Sequence, residues 1–335
     1  MKQRTIVQTP LSWLAGRFSL GPRSVRLASF VSVVAGIGIV ATGGVVRVTG
    51  SGLGCTDWPM CTADTLAPTA EMGIHGVIEF GNRLLTGVLC VVVGWVIIAA
   101  RLQSAPSRAV LRGAWAQFWV VVLNAVVGGV TVWMKLSPYV VAAHFLAAIL
   151  FLTTTVVTWD RVRRESLALE GPGAGQGERP RLPERCRGAA GWLLGATALL
   201  LVAGTLATGA GPHAGDSSDV HRMPFNWTVV TVIHGALAVA ALVLAGYLLR
   251  ALPKDGQGRA RQKALSFVAV VLAQGAVGVV QSLSGLPALA VGLHLLGSAL
   301  VWTGAVQVFL ATRFEAQPSA VGLPTMRETA VERTA

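Results

Sequence analysis

Charge is what this sequence has least of. Only 13% of its 335 residues are Asp, Glu, Lys or Arg, while 53% are hydrophobic. Soluble domains carry about 25% charged residues, so a water-soluble domain is excluded and a polytopic membrane protein is implied. Positive charge is also nearly missing from one side of the chain's expected topology. With the N-terminus inside, only Arg47, Lys135 and Arg222 of the 27 Lys and Arg fall in external segments, and only Arg83 falls within a helix. That bias is the positive-inside rule, and it places both termini in the cytoplasm and the chain in the cell membrane. The formal net charge of +12 therefore reports topology, and nucleic acid is excluded as a partner. Cysteine is scarce as well, four in all. No Cys or Met cluster accompanies the histidines, which argues against zinc or copper.

What is present is long apolar runs. At about 20 residues per span, the sequence predicts eight helices at roughly 27–47, 73–100, 110–134, 139–159, 189–210, 228–250, 263–283 and 287–311. The first is too long for the apolar core of a signal peptide and ends in Gly43-Gly44-Val45-Val46-Arg47 without a cleavage-like site, so it is kept as a span. A charged linker at 160–188 contains Gly171-Pro172-Gly173-Ala174-Gly175-Gln176-Gly177 and separates two four-helix halves. The expected layout is a cytoplasmic tail at 1–26, a first half at 27–159, the linker, a second half at 189–311 and a disordered tail at 312–335.

The halves look related. Asn124 to His144 and Gln274 to His294 span the same distance, and both pairs enclose a Gly-containing segment and a proline, Gly128-Gly129 with Pro138 and Gly278 with Pro287. Thr42-Gly43-Gly44 likewise matches Thr208-Gly209-Ala210. With an even number of helices per half the repeat is parallel. The fold class is thus all-α, two tandem pseudo-symmetric four-helix bundles, with two similar sites expected in their cores.

Polar groups inside the spans are the functional candidates, because each charge costs at least about 2.5–3.5 kcal/mol at mid-bilayer. His75, Glu79, Asn82 and Arg83 share one helical face. His144, His234 and His294 lie on the other even-numbered helices, near their external ends. Counting from the cytoplasmic ends puts Asn82 in the layer of these three, with His75 about 10 Å further out. His234 and His294 facing each other across a bundle would hold a heme iron, and the flanking Gly235, Gly292 and Gly297 would make room for a flat macrocycle. A core imidazole bonded to the backbone is the plainer reading of any one of them. The first half instead sets Glu79 and Asn82 against His144, which suits binding and turnover of a substrate. Glu79 could handle a proton or stabilise a developing cation, or form an i,i+4 ion pair with Arg83; Arg83 suits a heme propionate. Cys55 and Cys61, in one external loop, are either a disulfide on the oxidising side of the membrane or two free thiols. Cys90 and Cys186 read as inert. His213, Asp216, Asp219, His221 and Arg222 read as a solvated external loop, and Trp58, Trp133 and Trp227 as interfacial belt residues.

These features over 27–311, with Glu79-Phe80-Gly81-Asn82-Arg83 at their centre, resemble the heme A synthase family. The family's Glu-x-x-His-Arg motif is matched as Glu79-x-x-Asn82-Arg83. The resemblance implies oxidation of the C8 methyl of heme O, by successive hydroxylations with molecular oxygen, to the formyl group of heme A for cytochrome oxidase. It implies a heme b held by His234 and His294, a heme O substrate bound with His144, Glu79 as the catalytic carboxylate, and Cys55–Cys61 as a redox or assembly element. An electron donor, heme O synthase and oxidase assembly factors are the implied partners, besides membrane lipid. Two departures stand out. Asn82 occupies the place of a second substrate-side histidine, leaving His144 alone or with His75, and loop 5–6 lacks the second cysteine pair. A bis-histidine cytochrome b passing electrons from quinol, and a heme transporter, are the competing readings.

Overall fold

The computed structural model describes residues 10–169, 182–213, 215, 221–253 and 258–313. A short helix α1 (Pro10–Arg17) precedes the eight long ones, which are α2 (Pro22–Val48), α3 (Gly73–Arg101), α4 (Arg108–Trp133), α5 (Pro138–Leu169), α6 (Glu184–Ala210), α7 (Trp227–Ala251), α8 (Arg259–Leu283) and α9 (Ala288–Arg313). All eight are long and apolar enough to cross a membrane. Their starts follow local rules. Pro22 opens α2, where its missing N–H costs nothing. Ser107 and Asn226 cap α4 and α7, their side chains accepting from the backbone N–H of Val110 and Val229.

Helix α1 falls in the segment expected as a tail, with Arg17 stacked 4.6 Å from the Trp13 ring. Several spans also outrun their apolar windows. Helix α5 continues to Leu169 because charge within it is locally paired. Buried Asp160 accepts from Arg164, one turn on, at 2.9 Å, and from Arg259 at the start of α8.

Each half is a ring in which α2, α3, α4 and α5, or α6, α7, α8 and α9, pack on their neighbours in order and close on the first. The backbones of helices on the diagonals stay apart, which leaves an interior between α3 and α5 and between α7 and α9, although the Ser32 hydroxyl of α2 donates to Gln117 Oε1 of α4 at 2.7 Å across the first bundle. The repeat extends to backbone detail. Lys135 and Leu136 in the α4–α5 turn both have positive φ, as do Gly285 and Leu286 in the α8–α9 turn. The N–H of Leu136 donates to the Thr131 carbonyl at 2.9 Å, and that of Leu286 to Gln281 at 2.7 Å. The two hairpins are one design used twice.

The halves meet along α2, α5 and α9, where Val33, Val40, Leu152, Val156, Ala299, Val306 and Leu310 form one buried cluster. Within lipid, apolar surface alone does not drive helices together, so close packing must. Gly44 lets Leu295 approach its Cβ position to 3.2 Å, and Gly36 does the same for Leu152 and Phe151 at 3.3 Å. The indole N–H of Trp302 donates to the Thr153 hydroxyl at 2.8 Å across the seam. The external loops touch too, the Gly52 N–H donating to the Gly215 carbonyl at 2.8 Å.

Candidate functional site

Helices α7 and α9 bring His234 and His294 together in the second bundle, their ring centroids 6.2 Å apart and their planes at 69°. Each imidazole is seated against a glycine of a neighbouring helix. The His234 ring lies 3.2 Å from the Cβ position of Gly204 on α6, and the His294 ring 3.4 Å from that of Gly278 on α8. Nδ1 of His234 is 3.1 Å from the Leu200 carbonyl, which leaves Nε2 as its free nitrogen. Two imidazoles on one metal, each bonded at about 2 Å, have ring centres roughly 6 Å apart. The observed pair fits that requirement, so the donor set and spacing suit a heme iron.

In the first bundle, His144 on α5 is seated in the same way, 3.1 Å from the Cβ position of Gly128 on α4. Its Nδ1 is buried without a hydrogen bond, and so is the Oδ1 of Asn82 on α3. Gly38, which stands in α2 where Gly204 stands in α6, meets nothing within 4 Å. The shorter amide of Asn82 replaces an imidazole and leaves that position open.

Glu79 is buried at 6% exposure and fully engaged. Its Oε1 accepts from Nη2 of Arg83 at 2.5 Å and from Nε at 3.2 Å, and its Oε2 accepts the Cys55 N–H at 2.5 Å. Arg83 Nη1 reaches on to the carbonyls of Asp57 at 2.8 Å and Met60 at 2.9 Å. The expected i,i+4 ion pair is therefore present, and it also clamps the external loop to α3. Cys55 and Cys61, both fully buried, form a disulfide in that loop. A buried ion pair is stable only when its remaining lone pairs and protons are also bonded, and the loop backbone does this.

His75 is tied to the same loop, one turn outside Glu79, with its Nδ1 2.9 Å from the Ser51 hydroxyl. Trp58 is not simply a belt residue. The disulfide loop folds inward and lays its indole over Gly129, 2.7 Å from the Cβ position, with its edge against Trp133 at 5.6 Å. Gly129 adjoins the glycine that receives His144, so Trp58 roofs the first bundle.

Gly235 and Gly292 meet nothing within 4 Å, which leaves open space beside the imidazoles, whereas the space expected beside Gly297 is filled by the Gln274 amide. The glycines that make room for the imidazoles are Gly128, Gly204 and Gly278, on partner helices, and their recurrence in the repeat was the signal for them. In loop 5–6, His213 bonds through Nε2 to the Leu286 carbonyl at 2.7 Å, Arg222 holds the carbonyls of Gly211 and Pro212, and His221 is exposed. Asp216 and Asp219 lie outside the described residues.

Residues 26–306 match the model of the COX15-CtaA family, described as cytochrome oxidase assembly protein. The chain belongs to this family. The COX15-CtaA match runs from the start of α2 into α9 and so takes in both bundles and all four layer positions. The chain is also similar to proteins named Heme A synthase. It is 35% identical to that of Exiguobacterium sibiricum over 127 residues, 36% of this chain and 40% of the relative. It is 30% identical to that of Staphylococcus saprophyticus over 118 residues, 35% and 38%. It is 28% identical to that of Geobacillus kaustophilus over 165 residues, 44% and 49%. The chain thus spans less than half the length of each of these relatives.

Proposed function

We propose that the protein is a multi-pass membrane oxidoreductase that converts heme O to heme A by successive oxygen-dependent hydroxylation of the C8 methyl group, with both termini in the cytoplasm of a plasma-membrane protein. The observation that carries this reading is the asymmetry of the layer. One bundle sets two imidazoles 6.2 Å apart, and its twin sets one imidazole, a free amide oxygen and a carboxylate. Family membership and the name shared by the relatives support it.

On this reading His234 and His294 hold a heme b whose iron, saturated by two imidazoles, supplies one-electron transfer. Every other role falls to the chain. His144 fixes the substrate heme from the α5 side, seated by Gly128. Asn82 offers only a weak ligand opposite, which leaves that face of the substrate accessible. Glu79, at the end of its chain of bonds to the loop, can take or return a proton where the methyl carbon is oxidised. Arg83 holds its carboxylate in place, and Trp58 with the disulfide loop shuts water out from above. His75, bonded to Ser51, supports that roof. The electron donor, and heme O synthase or assembly factors as docking partners, belong to the same proposal.

A cytochrome that only passed electrons would call for imidazole pairs in both bundles, and a transporter would call for none. Co-expression with a heme O source, followed by extraction of the bound hemes and mass analysis, tests the assignment. Heme A accompanied by heme b is expected. A protein that carries heme b alone and never yields heme A would be a cytochrome.

A further inference from the structure

The second bundle contains buried polar atoms that its twin does not leave unused. Thr231 Oγ1 on α7 and Gln281 Oε1 on α8 are both buried without a partner. In the first bundle the matching positions are satisfied. Thr131, which stands for Gln281, donates to its own helix at Val127 at 2.8 Å. Glu79, which stands for Thr231 when Asn82 is set against His234, binds the loop and Arg83. A buried hydroxyl in a helix normally bonds back to the preceding turn, so leaving one unpaired costs free energy and calls for a partner.

The two groups lie at one height. Thr231 precedes His234 by three residues, and Gln281 follows Gly278, the seat of His294, by three. Helix α7 runs inward and α8 runs outward, so both lie about one turn, roughly 4.5 Å, from the imidazole layer towards the side of the disulfide loop. The same spacing puts each on the face of its helix that points into the bundle. In the opposite direction the bundle is filled by Ala241, Ala245, Phe267, Val271 and Val301. Of the orphaned polar atoms on that side among the described residues, Gln274 Oε1 is pressed over Gly297, while Thr303 Oγ1 and Arg259 Nε lie more than two helical turns from the imidazole layer.

A macrocycle between His234 and His294 carries two carboxylates on one edge, and a charged group is placed where donors meet it and not in an apolar core. We propose that Thr231 and Gln281 bind the propionates of the heme held by His234 and His294, turning them towards the disulfide-loop side. This rests on the heme reading of the second bundle. Thr231 donates its hydroxyl, and Gln281 donates an amide N–H once its amide is turned so that Nε2 takes the place of the unpartnered Oε1.

The test uses the purified full-length protein with its own heme. Three quantities are read: the rate of heme loss to an excess of apomyoglobin, the midpoint potential, and the propionate vibrations in resonance Raman. Thr231→Val and Gln281→Leu are each expected to weaken heme retention by about tenfold or more. Each should also lower the midpoint potential, since an unbonded carboxylate pushes more negative charge onto the iron, and shift the propionate modes. Thr231→Ser should behave as the unaltered protein, and Gln274→Leu should leave the propionate modes in place. Unchanged retention and modes in both Thr231→Val and Gln281→Leu would overturn the assignment. So would loss of heme from Thr231→Ser, or a propionate shift in Gln274→Leu alone, which would mean the opposite orientation. Absence of any low-spin heme from the unaltered protein would instead remove the heme reading of this bundle.

Discussion

The first bundle presents His144 and Asn82 to its interior, and the second presents His294 and His234. The backbone around them is shared down to the left-handed turns at Lys135-Leu136 and Gly285-Leu286. The glycine seats are shared too, Gly128 for His144 and Gly278 for His294. What differs is a handful of side chains. An amide replaces an imidazole, Glu79 and Arg83 stand where the second bundle has Thr231 and Gly235, and Trp58 covers Gly129 while the matching Val279 is exposed. On the proposed reading the scaffold would position a flat ligand in both halves, and the substitutions would decide whether that ligand is held from both faces or left open on one. The external loop follows the same division, because the carboxylate and guanidinium that tie it down exist only in the first half.

The comparison can be broken most severely at Glu79. Glu79→Gln keeps an acceptor for the Cys55 N–H but removes the carboxylate, and heme A formation should fall at least about a hundredfold, the scale of a lost general acid or base. The optical spectrum of the second bundle should not change. Normal heme A output from this variant, measured by extraction, would reduce Glu79 to the clamp of the disulfide loop. Asn82→His would erase the asymmetry from the other side. With Gly38 open beside it, an imidazole should fit and convert the substrate heme to a second low-spin species, visible as a gain in low-spin absorption when heme O is supplied. No gain would show that position 82 does not face the substrate.

Smaller effects sharpen the contrast. Gly129→Ala puts a methyl 2.7 Å from the Trp58 ring, so it should cost about 1–3 kcal/mol of stability by thermal unfolding and lower turnover. Val279→Ala, at the matching exposed position, should stay within about 0.5 kcal/mol. Equal effects at the two sites would argue that Trp58 does not roof the first bundle. His75→Ala removes one hydrogen bond to Ser51 and should cost about 0.5–1.5 kcal/mol while heme A output stays near normal. Loss of substrate binding in this variant would make His75 a direct contact.

The spans were legible in the sequence because apolar runs of membrane length have few other uses, and depth counting set Asn82 in the layer of the three histidines, from which the proposed asymmetry follows. The ends of α5 and α8 were not legible. They run into charged segments whose cost is cancelled by a partner far along the chain, as Asp160 is by Arg259. The glycine seats were missed for the same reason. Glycines adjoining the histidines on their own helices were the visible candidates, yet an imidazole is seated by the helix next door. Trp58 looked interfacial because its position was. Its inward fold depends on bonds from Glu79 and Arg83 to the Cys55, Asp57 and Met60 backbone, which no residue pattern announces. The Cys55–Cys61 bridge was anticipated from the expected compartment, and its link to Glu79 was not.

The central claim is that the two bundles hold different hemes in different ways, and one measurement addresses it directly. Hemes are extracted from the unaltered protein, from His144→Ala and from His294→Ala, each co-expressed with a heme O source, and quantified by mass. The account predicts that His294→Ala loses heme b and retains substrate heme, whereas His144→Ala loses heme O and heme A and retains heme b. Loss of the same species in the same proportion from both variants would contradict it.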